Sequence, residues 1–134
     1  MHFLSLFCFS VRKEESSDED TEIVKLLAPL TDTPNAPDEN GKTPIWCAAL
    51  KGHTEIVKIL APLTDNPNAP DGYGQTPIWI AAWKGHTEIV KILAPLTDNP
   101  NAPNNHGGTP SSVAANTEIK NLILEYSSGK CKIS

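Results

Sequence analysis

A period of 33 residues governs this chain of 134. Residues 43–75 and 76–108 form two segments that differ at six positions: Cys47/Ile80, Leu50/Trp83, Asp71/Asn104, Gly72/Asn105, Tyr73/His106 and Gln75/Gly108. Partial copies flank them, residues 21–42 matching the second half of a unit and residues 109–126 matching a unit shortened by three residues. A repeat of this length is one supersecondary unit whose apolar face is covered by its neighbours, so the pattern predicts a stack of modules rather than a globule around one core.

Local chemistry divides each unit into parts. Thr43-Pro44 offers a capping hydroxyl followed by the residue best suited to the first helical position, where a missing N–H costs nothing. A short helix starts there and ends at Gly52, which can adopt the left-handed conformation that closes a helix. A second helix follows over Thr54 to Leu60, with Ile56, Val57, Ile59 and Leu60 as an apolar stripe and Glu55 and Lys58 facing water. Pro62, Pro67 and Pro70 then forbid further helix and regular strand pairing, so the next stretch is an extended loop that turns back at Gly72 and Gly74. Helix, turn, helix and projecting loop make one unit.

The stretch GQTPIWIAAWKGHTEIVKIL, closed by NAP, resembles the ankyrin repeat. Thr43, Pro44, Ala48, Ala49, Gly52, His53, Glu55, Ile56, Val57 and Leu60 fall in register with that family's pattern, as do their equivalents 33 residues later. The resemblance covers residues 21 to about 126 and implies an all-α solenoid of helix-turn-helix units with protruding hairpin loops, in two full and two partial repeats. Tetratricopeptide arrays have a different period and signature. Three departures stand out. Trp46 and Trp79 occupy the usual histidine position, removing a local hydrogen bond and adding aromatic surface. Pro62 and Pro95 fall in the last turn of the outer helix, which predicts that these helices end about a turn early. The last unit lacks the Gly-His turn, leaving Asn116 as the expected left-handed break.

Outside the repeats, residues 1–20 read as an apolar and then acidic segment that is disordered or caps the first outer helix, and residues 127–134 as a flexible tail. Shifting the first full unit back by one period puts Glu15 and Ser16 where Ala48 and Ala49 stand, so the first outer helix lacks its usual partner. Either the apolar start covers that edge, or the edge is open to self-association or to further repeats of a longer array. The terminal CKIS outlines a prenylation box at Cys131, weakened by Lys132; only prenylation would bring the chain to a membrane, and one lipid chain anchors marginally.

Composition closes other routes. A net charge of −5 disfavours nucleic-acid phosphates as the target. Cys8, Cys47 and Cys131 are an odd number without metal spacing, which suggests reduced thiols and a cytoplasmic setting. No phosphate loop, nucleophile elbow or zinc spacing is present, so the chain reads as a non-enzyme with no cofactor. His53 and His86 repeat because the unit does; the resemblance implies that such a histidine bonds neighbouring backbone. What remains is a surface for a protein partner. In proteins of the resembling family, hairpin tips and inner helices line a concave, ligand-facing side, and the differences between copies cluster there. On that basis Trp83, Tyr73, Gln75, Glu39, Asn40, Lys42, Leu50, Lys51, Lys84, Asn105 and His106 are the candidate partner-binding residues.

Overall fold

The computed structural model describes residues 37–64 and 66–127. Among them the order is α1 (Pro44–Lys51), α2 (Thr54–Leu60), a 3-10 turn (Ala61–Leu63), α3 (Pro77–Lys84), α4 (Thr87–Leu93), a second 3-10 turn (Ala94–Leu96), α5 (Pro110–Val113) and α6 (Thr117–Ser127), with no strand. α1, α3 and α5 are the inner helices and α2, α4 and α6 the outer ones; α1 packs on α3 and α3 on α5, while α2 packs on α4 and α4 on α6. This is the all-α helix-turn-helix solenoid that the period implies.

Each inner helix begins as its sequence dictates. Thr43 Oγ1 accepts from the Trp46 N–H at 3.1 Å, and Thr76 Oγ1 from the Trp79 N–H at 3.0 Å, with proline at the first helical position in both. Each ends at glycine: Gly52 has φ 79° and Gly85 has φ 84°. The side chains between these points make the core. Ile45, Ile78, Ile89, Val57, Val90, Leu60 and Leu93 are fully buried, and each large one contributes roughly 1.5–3 kcal/mol of apolar transfer as an upper bound. Ala48, Ala49, Ala81 and Ala82 are equally buried, and their small side chains let successive inner helices approach closely.

The early end of the outer helices is observed. α2 and α4 stop at Leu60 and Leu93, and the chain tightens into the 3-10 turns that contain Pro62 and Pro95. Proline has no N–H to return to the carbonyl four residues back, so the α-helical ladder stops before it. By contrast α6, which has no proline at that point, runs 11 residues.

Two expectations need correction. Asn116 is not left-handed, since every positive φ among the described residues belongs to glycine. Instead α5 is cut to four residues by an extended Ala114, and Asn116 caps α6, its Oδ1 accepting from the Ile119 N–H at 2.9 Å. The Ala115 N–H reaches back to the Ala82 carbonyl of the preceding unit at 2.9 Å, a tie between units in place of the missing glycine turn. Nor do the tryptophans merely lose a histidine's bond: the Trp46 indole N–H donates to the Gln75 carbonyl and the Trp79 indole N–H to that of Gly108, both at 3.0 Å. Each buried ring therefore fastens its helix to the base of the next hairpin. The expectations for residues 1–36, including the edge of the first outer helix, and for residues 128–134 lie outside the described residues.

Candidate partner-docking surface

The hairpins are built on one carboxamide or carboxylate oxygen each. Asp38 Oδ1 accepts from the N–H groups of Asn40 and Lys42, Asp71 Oδ1 from Tyr73 and Gln75, and Asn104 Oδ1 from His106 and Gly108, all between 2.8 and 2.9 Å. Aspartate and asparagine present the same oxygen, so the Asp71/Asn104 difference leaves the frame unchanged. Gly41, Gly74 and Gly107, with φ of 79–86°, close the turns, whereas Gly72 does not take a positive φ.

Successive hairpins are stitched together. The Gly72 N–H donates to the Asn40 carbonyl, the Asn105 N–H to that of Tyr73, both at 2.9 Å, and the Asn105 side-chain amide to the Gly72 carbonyl at 3.1 Å. Behind them, Asn68 Oδ1 accepts from the Ile78 N–H at 3.0 Å and Asn101 Oδ1 from the Ser111 N–H at 2.9 Å, tying each long loop to the following inner helix. His86 Nε2 lies 3.3 Å from the Leu50 carbonyl; a carbonyl only accepts, so the proton is on Nε2, and this histidine bonds backbone of the preceding unit. These bonds fix the platform on which the candidate residues stand.

Nine of those residues fall into two groups, with Lys42 and Gln75 at the hairpin bases. Glu39, Asn40, Tyr73, Asn105 and His106 lie exposed on the hairpin tips, Tyr73 at 63 %. Between the first two tips a notch of about 420 Å³ is lined by Glu39, Asn40 and Tyr73. Leu50, Lys51, Trp83 and Lys84 lie at the C-terminal ends of α1 and α3. Trp83 is 51 % exposed, and its ring centroid lies 5.9 Å from that of Trp79, tilted by 47°. Trp79 is bonded to the Gly108 carbonyl at the base of the third hairpin, and Trp83 lies one turn on along the same side of α3. The Lys84 ammonium stands 4.7 Å from the centre of the Trp83 ring, and that of Lys42 stands 4.9 Å from the Trp46 ring.

Not every difference between the copies faces outward. Cys47 and Ile80 are buried, a change of core volume, and Asp71 is buried beneath its own turn. Asn105 spends its amide on Gly72 and Gln75 its carbonyl on Trp46, so both belong partly to the frame. The sequence reading did not find the bonds of Asn68, Asn101 and the hairpin Asp38, though their recurrence at one period was the available signal. It also missed a larger cleft of about 740 Å³ between the long loops, lined by Asn66, Leu96, Asp98, Pro103 and Asn105. Among the described residues no cluster of His, Cys, Asp and Glu is placed to hold a metal, and no helix is long and apolar enough to cross a membrane. Cys131 lies outside the described residues.

Stacked helix pairs with a row of linked hairpins along one side define a repeat solenoid, a class that offers an extended side surface. The family follows from comparison. The model described as ankyrin repeats (3 copies) matches residues 14–104, and the chain belongs to the ankyrin-repeat family. The matched span takes in the acidic residues 14–20 that the sequence reading left outside the repeats. No curated protein matches the chain. Ankyrin repeats are generally protein–protein interaction modules, and the family is typically non-catalytic.

Proposed function

We propose that the chain is a docking module that binds a partner protein with its hairpin tips and the exposed ends of its inner helices. The observation that carries this reading is Trp83. Its counterpart Leu50 is half-buried against the core, whereas Trp83 leaves half its ring in solvent on an otherwise identical frame. Nothing in the stack requires an aromatic there, and half-exposed tryptophan is the residue type that dominates interface energies. Tyr73 at the adjoining tip extends the same surface. Trp83→Ala weakens partner binding by more than about 1 kcal/mol and leaves the helical circular dichroism unchanged. The measurement is a pull-down from native cells with wild type and variant side by side, then titration of the captured protein. An identical captured set at identical affinity removes Trp83 from the interface and with it the reading.

Cytoplasmic placement belongs to the same proposal, supported by the odd cysteine count and the free, buried Cys47 thiol. Alkylation of intact cells followed by mass measurement tests it, cysteines in mixed disulfides being the contrary result.

A further inference from the structure

The lysines of the two full units divide by face, whereas Lys120 on the outer helix α6 has no carboxylate partner among the described residues. On the outer helices Lys58 and Lys91 each hold a carboxylate three residues back, Glu55 at 3.3 Å and Glu88 at 3.4 Å, and Lys91 also meets Glu118 at 3.7 Å. On the inner helices Lys51 and Lys84 have no carboxylate within 4 Å among the described residues. Lys84 instead stands over the exposed Trp83 ring. No acidic residue occurs in α1 or α3 themselves; the acids nearest by chain, Glu55 and Glu88, are taken by Lys58 and Lys91, Asp38 and Asp71 each commit an oxygen to two backbone N–H groups, and Glu39 stands exposed at the first hairpin tip. In a chain of net charge −5, Lys84 thus stands over the most exposed tryptophan with no ion partner among the described residues, and Lys51 holds the same register one unit back.

From this we infer that the partner segment is acidic and linear, with carboxylates on Lys51 and Lys84 and an apolar side chain between them on Trp83 and Leu50. This rests on the docking reading above and names the chemistry of the ligand. The spacing follows from the stack. Lys51 and Lys84 occupy the same register in α1 and α3, whose axes, as for any packed helix pair, lie about 8–10 Å apart. An extended peptide advances about 3.3–3.6 Å per residue, so the two carboxylates fall three residues apart in a segment running across the helices. A helical ligand lying the same way would need about six or seven residues between them, since it rises about 1.5 Å per residue. Single-stranded nucleic acid also suits aromatic-plus-basic surfaces, but two lysines neutralise too few phosphates for useful affinity at physiological salt.

The test is a display selection of random twelve-residue peptides on the whole chain, followed by anisotropy titration of the enriched peptides and of a labelled oligothymidine. Expected are peptides of net negative charge with acids three apart around an apolar residue. Their affinity should fall about three- to ten-fold with Lys84→Gln or Lys51→Gln, fall further with Trp83→Ala, and weaken as salt rises from 50 to 500 mM. Glutamine keeps helix propensity close to that of lysine, and unchanged circular dichroism and unfolding midpoint establish that each variant is folded. Neutral or basic peptides that lose binding with Trp83→Ala overturn the acidic segment and leave the docking reading standing. Peptides indifferent to both Trp83→Ala and Tyr73→Ala overturn both. Failure to enrich any peptide, or oligothymidine binding as tight as the best peptide, also overturns the inference.

Discussion

Gly52→Ala reports how strongly one unit grips the next. Gly52 has φ 79°, where an L-residue with a Cβ pays about 1–2 kcal/mol. Alanine also restricts the unfolded chain, which returns about 0.4–1 kcal/mol, so backbone strain alone leaves a net cost near 1 kcal/mol. A Cβ at this site would sit 2.8 Å from His86 Cε1 and 3.0 Å from Nδ1, inside van der Waals contact. The ring cannot retreat without stretching its 3.3 Å bond to the Leu50 carbonyl, a bond of about 0.5–1.5 kcal/mol, and overpacking adds about 1–3 kcal/mol. Gly52→Ala therefore costs about 2–4 kcal/mol. Gly107 provides the control, because its φ is 86° and a Cβ there meets nothing within 4 Å, so Gly107→Ala costs only about 1 kcal/mol. Urea unfolding at constant m-value measures both. In a His86→Ala background the cost of Gly52→Ala falls to that of Gly107→Ala, because the obstructing ring is gone. Equal costs for the two glycines in the wild-type background, or an additive cycle with His86→Ala, would refute the contact between units.

Three further outcomes use the same unfolding assay. Asp71→Asn changes stability by less than about 0.5 kcal/mol because Asn104 already builds the equivalent turn with a carboxamide oxygen, whereas Asp71→Ala strands the N–H groups of Tyr73 and Gln75 and costs about 1–3 kcal/mol. Asn68→Ala deprives the buried Ile78 N–H of its acceptor and lowers stability by about 1–3 kcal/mol; a neutral result would mean that α3 needs no tie to the preceding loop. Trp79→Phe keeps a ring in the core but deletes the bond to the Gly108 carbonyl, for about 0.5–1.5 kcal/mol, and no loss would show the hairpin base to be held otherwise.

The helices were legible because their signals are local. Thr43-Pro44 and Gly52 bracket α1, and Pro62 stops α2, each through backbone chemistry that needs no knowledge of neighbours. Asn116 shows where that reasoning ends. Its left-handed conformation was inferred by analogy with the glycine turns, yet a helix can also be broken by extending one residue and tying the next to another unit, as Ala114 and Ala115 do. For the hydrogen bonds of Trp46, Trp79 and Asn68 the period marks the positions but not the partners: each spans 10 to 29 residues, and no local rule selects the carbonyl or N–H at the far end. Of the surface, exposure at Trp83 was legible as a residue the stack does not need. The pairing of the lysines was not, since Lys51, Lys58, Lys84 and Lys91 are the same residue type and only geometry separates paired from unpaired.

One translation of 33 residues relates three pairs of the bonds that knit the stack. Asn68 to Ile78 repeats as Asn101 to Ser111, Trp46 to Gln75 repeats as Trp79 to Gly108, and Gly72 to Asn40 repeats as Asn105 to Tyr73. These contacts fall at the base, the tip and the rear of each hairpin, so adjacent units are held at three separated points and cannot pivot freely. A surface assembled from several units then behaves as a rigid ruler whose spacing is the helix–helix distance, about 8–10 Å. At the far end α6 continues the stack with Ile119 and Ile123 buried against it, but puts exposed Lys120 where α2 and α4 carry the buried Val57 and Val90. An ammonium at that position enters an apolar interface only if a carboxylate meets it, so α6 differs from α2 and α4 in the neighbour its outward face could accept.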